Sequence, residues 1–191
     1  MSGTSTGTVV DAGTDIGMDT VVVDTNVILV ANEAHERVGE SCVVTCVQRL
    51  HALMHGGRLA IDDGYRILGE YLHKTEPATG KRAGDTFVKW LLRNNFNPAR
   101  CDQVALVETP ERGFESFPDD ERLAHFDLSD RKFAAVSAAH KERPPIWQAT
   151  DSKWLGWAPA LQDHGVTVEF LCPSDIQSFE GAKSARREGV G

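Results

Sequence analysis

The chain has 191 residues, 41% of them apolar, and a formal net charge of −8. That length supports one well-buried core and leaves little for a second full-sized domain, and the negative balance excludes nonspecific coating of nucleic acid through a general excess of Lys and Arg. No apolar run of about eighteen residues is present, and the opening segment lacks a basic start and an apolar stretch, so a soluble cytoplasmic protein with no membrane contact is expected.

Residues 1–19, rich in Thr, Gly and Asp without periodicity, read as disordered, with Met18 as an alternative start. Residues 20–24 (TVVVD) form an apolar run suited to a strand buried on both faces. A helix is predicted over 36–54, with Val43, Val44, Val47, Leu50 and Leu53 at helical spacing and Gly56-Gly57 as its stop. A strand at 58–61, a helix at 65–73 and a helix at 86–94 follow. Residues 103–108 (QVALVE) alternate as a strand, and the next stretch reads as an exposed loop with a short turn. A helix over 129–142 stops at Pro144-Pro145, and a strand at 146–150, a helix at 152–163 and a strand at 166–171 complete the domain. The polar, Gly-rich end within 176–191 reads as a flexible tail. Strands alternating with helices predict an α/β fold with a parallel sheet spanning 20–175.

Four cysteines (Cys42, Cys46, Cys101, Cys172) are too few and too scattered for a disulfide scaffold and are expected as reduced, buried thiols. Cys42 and Cys46 share a helix face, but no CxxC or paired His completes a zinc site.

Acidic residues recur where open α/β sheets bind ligands. Asp24 ends the first strand and Asp151 follows the strand at 146–150. Taken singly, the first reads better as a turn former, while the second can be a helix cap and a site residue at once. Asp130 opens its helix on or near the side carrying Phe133, Ala134 and Ser137, and Asp127 precedes it as a cap or as a carboxylate behind the site. Glu70 borders the apolar arc of its helix, where a solvated Glu is the alternative. Clustered carboxylates raise one another's pKa unless a cation neutralises them, and hard oxygen donors select Mg²⁺ or Mn²⁺. Lys81, Arg82, Lys89, Arg93 and Arg100, against the single acid Asp85, form either a basic track for a nucleic acid strand or an ordinary solvated helix face.

The segments VVVDTNVIL, ILGEYLHK, LSDRKFAAVSAAH and QATDSKW, in this order, resemble the PIN domain nucleases, a family that includes the VapC-type toxins of toxin–antitoxin pairs. The resemblance covers about residues 21–171 and is weakest over 75–125; toxin-type members are usually shorter than this chain. It implies a three-layer α/β/α sandwich around a central parallel sheet and a metal-dependent endoribonuclease. In that reading Asp24, Glu70, Asp130 and Asp151 hold Mg²⁺ or Mn²⁺, supported by Asn26 and Thr150. RNA, or single-stranded DNA, is the implied substrate, with an antitoxin or a second copy of the chain as partner. Where many members carry a further acid or Asn, this chain has Lys153, which either weakens a second metal site or places an ammonium near the scissile phosphate.

A catalytically silent PIN-like module that binds RNA or protein is the rival from another class. A phosphotransferase with an Asp nucleophile would need an acid where Asn26 stands, and a dinucleotide-binding enzyme would need a GxGxxG after the first strand, which is missing.

Overall fold

The computed structural model describes residues 20–35 and 38–177; the disorder expected of 1–19 and nearly all of the expected tail lie outside the described residues. Five parallel strands form the central sheet: β1 (Thr20–Val23), β2 (Arg58–Asp62), β3 (Cys101–Val104), β6 (Ile146–Gln148) and β7 (Val168–Phe170). Their spatial order is β3-β2-β1-β6-β7. β1 therefore lies at the centre, which is why TVVV carries no polar face and is buried throughout. Register is fixed by pairs such as Val21 with Leu59 and Val23 with Trp147.

The helices are α1 (Thr25–Ala31), α2 (Glu40–Gly56), α3 (Arg66–Lys74), α4 (Ala83–Asn94), α5 (Arg131–Ala139) and α6 (Lys153–Asp163). α1, α2 and α4 pack on one another, whereas α5 packs against β1, β2 and β6, and α6 against β7. Crossovers of the usual right hand would put the helices of the β1-β2-β3 progression on one face and those of the return through β6 and β7 on the other. The result is a mixed α/β fold compatible with a three-layer sandwich. No helix of the described residues is long and apolar enough to cross a membrane.

Three local departures from the sequence reading have physical causes. Residues 25–31, to which the sequence reading assigns no element, form α1, although TNVILVA is rich in β-branched residues. Burial of Val27, Ile28, Val30 and Ala31 and the Asp24 cap outweigh their weak helix propensity. The strand expected at 103–108 occupies 101–104 and ends, and Glu108 instead begins a hairpin of β4 (Glu108–Thr109) and β5 (Gly113–Phe114), where a loop was expected. Gly113, at φ 81°, makes its return. Finally, Cys42 and Cys172 are joined in a disulfide rather than reduced. The sheet order delivers the chain after β7 to the first turn of α2, a proximity that a sequence separation of 130 conceals. Cys46 and Cys101 are free and buried, as expected.

The start of α4 is capped from another helix. Asn32, ending α1, accepts through Oδ1 from the backbone N–H of Gly84 (2.8 Å) and Asp85 (3.2 Å), and donates through Nδ2 to the buried Asp85 carboxylate (2.9 Å). This junction needs close backbone approach, since a Cβ on Gly84 would stand 2.5 Å from the Ile28 carbonyl oxygen. Gly84→Ala is therefore expected to lower unfolding stability by about 1–3 kcal/mol in urea titration, despite alanine's better helix propensity.

Candidate functional site

The sheet order reverses direction between β1 and β6, and ligands of open α/β sheets bind in the crevice beyond the strand ends at such a point. Asp24 follows β1 and Asp151 lies just beyond β6, so the two flank that crevice. Asp24 is 5% exposed and serves as the cap of α1, its Oδ1 accepting from the Asn26 N–H at 2.8 Å. Turn former and site residue are thus one group. Its own N–H donates to the Trp147 carbonyl at 3.0 Å, which fixes the carboxylate against β6.

Asn26 and Thr150 meet across the same crevice. Asn26 Oδ1 accepts from the Thr150 N–H at 2.8 Å and from its hydroxyl at 3.0 Å. One amide thus ties the β1 turn to the β6 turn and sets the spacing of the two aspartates. Asp151 is held in turn by the buried Gln148, whose Oε1 accepts from the N–H groups of Ala149 (2.8 Å) and Asp151 (3.3 Å). Asp151 Oδ1 accepts from the Lys153 N–H at 3.0 Å, so it caps the start of α6 while facing the crevice.

Asp127, Asp130 and Asp151 each offer an oxygen within 4.8 Å of the others. Glu70 stands apart from this trio: it accepts from the Thr25 hydroxyl and from the Lys132 ammonium. Lys132, 6% exposed, also donates to the Ser129 carbonyl. Neither Lys132 nor Gln148 stood out in the sequence, because a lone Lys in a helix reads as solvated and a lone Gln in a strand as filler. At the rim, Lys153 Nζ donates to Asp127 Oδ2 at 2.6 Å, which raises the Lys153 pKa. Lys153 thus sets an ammonium beside the carboxylates, held by Asp127.

Beneath the cluster the Tyr71 hydroxyl donates to the Val23 carbonyl, holding the end of β1. Burial, reinforced by Asp24 and Glu70, pushes its pKa well above the ordinary phenol value.

The basic residues distribute unevenly. Lys81 and Arg82 lie at the start of α4, where Arg82 donates to the Asn32 carbonyl and both residues line a cavity of about 410 Å³ with Lys74 and Glu76. That cavity is at the far end of α1 from Asp24, roughly 10 Å along a helix of this length. Lys89 and Arg93 follow α4 onward. Arg100 directly precedes β3 and donates to the His55 carbonyl at the end of α2, on the sheet edge opposite the carboxylates. A continuous track from Lys81 to Arg100 into the crevice is therefore not what the fold builds.

Burial raises the Asp24 pKa to about 8, with repulsion from Asp130, Glu70 and Asp151 added and the Asn26 N–H opposing. Asp130 is also raised by burial, offset by the Lys132 charge. The crevice gathers five carboxylates against two ammonium groups, an arrangement a divalent cation would relieve. Compared with known proteins, the chain matches no family model, no curated protein and no solved structure.

The sign of the pH dependence follows. The folded state holds the Asp24 proton more tightly than the unfolded state, whose pKa is near 3.8, so the stabilising contribution is complete below that value and is lost as pH rises to about 8. In EDTA, the melting temperature is expected to fall between pH 4 and pH 8, and Asp24→Asn to flatten that slope. Calorimetry of both proteins across this range checks it, and an unchanged slope in the variant would remove Asp24 as its source.

Proposed function

We propose that this chain is a Mg²⁺- or Mn²⁺-dependent phosphodiesterase of the PIN type that cuts RNA. The observation that carries the reading is the gathering of Asp127, Asp130 and Asp151 within 4.8 Å at the reversal of strand order, with Asp24 and Glu70 near enough that Asp130, Glu70 and Asp151 all repel the Asp24 charge. The donor set fits the metal: all donors are carboxylate oxygens, as small hard dications require, and those of Asp127, Asp130 and Asp151 lie within 4.8 Å of one another. When bound, such an ion supplies an activated water and stabilises charge on the phosphate and the leaving oxygen.

The chain's own residues have definable tasks in this scheme. Asp24, Asp130 and Asp151 would hold the ion, with Glu70 as a fourth acid steadied by Lys132 and Thr25. Asn26 and Thr150 keep the two strand-end aspartates at fixed spacing, so the charge is arranged before substrate arrives. Lys153 places a cation at the rim, where a phosphate in the crevice would meet it. RNA as substrate, and a toxin role with an antitoxin or a second copy as partner, rest on the resemblance of the four segments to PIN nucleases.

One observation favours the silent binding module. Lys132 and Lys153 already neutralise Glu70 and Asp127, and a cluster partly neutralised from within needs a metal less. Incubating purified protein with labelled single-stranded RNA or DNA in Mn²⁺, Mg²⁺ or EDTA separates the two readings. The enzyme predicts metal-dependent cutting of RNA that falls at least roughly 100-fold in Asp24→Asn and Asp151→Asn. Binding without cutting in any metal would favour the module.

A further inference from the structure

A second group of metal-binding side chains lies apart from the acidic crevice. Cys42 and Cys46 project one turn apart from the same face of α2, and Cys172 follows β7. Their sulfurs all lie within 4.8 Å of one another, and all three residues are at most 4% exposed. Cys42 and Cys172 are bonded, while Cys46 Sγ stands 4.0 Å from Cys172 Sγ.

The third sulfur distinguishes this group from a plain cross-link. A disulfide uses two thiols and leaves the other buried against it without a role. Sulfurs bound to one tetrahedral zinc at about 2.3 Å stand roughly 3.8 Å apart, so the Cys46 to Cys172 separation is already close to that of co-ligands. Only Cys42 and Cys172 must part, from bonding to contact distance. A cavity of about 190 Å³ bordered by Cys42, Cys172 and Asp175 opens beside them and offers an entry path and room for a solvent ligand.

We propose that, once the Cys42–Cys172 bond is reduced, Cys42, Cys46 and Cys172 form a three-thiolate site for one soft cation of the Zn²⁺ class, with solvent from the cavity as fourth ligand. Reduction by a small dithiol transfers two electrons and two protons to the disulfide, giving two thiols and the oxidised reagent. The cation then displaces three protons and takes three thiolates. Thiolate donors favour zinc over magnesium, so the site does not compete for the ion of the acidic crevice. The disulfide and the metal are alternative ways of fastening the chain after β7 to the first turn of α2.

The test uses the full chain, reduced with a dithiol, freed of reagent under anaerobic conditions and titrated with Co²⁺ and then Zn²⁺. The expected result is thiolate-to-cobalt charge-transfer absorption in the near ultraviolet that saturates at one ion per chain and is displaced by Zn²⁺. Carboxylates give no such band, so Asp24→Asn leaves it unchanged whatever the fate of the nuclease reading. Cys46→Ser, which spares the disulfide in the unreduced protein, is expected to weaken Co²⁺ binding at least about tenfold. Cys101→Ser, on the opposite sheet edge, is expected to have no effect. Should Cys46→Ser lose its far-ultraviolet circular dichroism, Cys42→Ser serves in its place. Absence of the band in the reduced protein, or full affinity in the serine variant, overturns the proposal.

Discussion

The pairing of β1 with β6 governs the rest of the structure. These strands are far apart in sequence, yet Val22 lies opposite Ile146 and Val23 opposite Trp147. From that register the Asp24 turn and the 149–151 turn emerge side by side, and Asn26 then bonds to Thr150 across the gap. A slip of one residue would turn the paired side chains to the wrong faces and separate the turns. Backbone pairing in the core therefore sets the geometry of the carboxylates before any of them contributes an interaction of its own.

Charge is the second organising constraint, and the fold handles it in two ways. Some acids are spent on structure: Asp62 is fully buried, but its oxygens accept from the N–H groups of Arg66 and Ile67 at 2.8 Å, opening α3. Asp85 is similarly consumed by Asn32 and by the Glu76 N–H. Asp24 is different, since one backbone donor faces repulsion from three neighbouring acids and loss of solvent. An acid held against its preferred ionisation is a candidate for chemistry, whereas a saturated one is a structural part.

How much of this was legible in the sequence depended on whether a signal was local. The short buried strands announced themselves through apolar runs such as TVVV and IWQ, and their ends located Asp24 and Asp151. Helix α1 did not, because its stability comes from burial rather than propensity. Nor did Asp62, whose position at a strand end resembles that of Asp24 and whose difference lies in its hydrogen bonds and in the acids around it. Lys132 becomes part of the site only because α5 and α3 meet, and Arg100 leaves it because β3 runs parallel to β2. Such facts depend on pairings between distant segments.

The Cys42–Cys172 bond also changes what kind of polymer unfolds. With 130 positions between its ends, it makes nearly the whole domain one covalent ring, from the start of α2 to just past β7. In the chain-entropy picture, closing so long a loop removes about 5 kcal/mol of freedom from the unfolded state. A protease that cuts at the exposed Pro110-Glu111 turn between β3 and α5 would therefore open the ring without dividing it. The two pieces would stay tethered until the bond is reduced, and a nicked molecule could still refold as one chain.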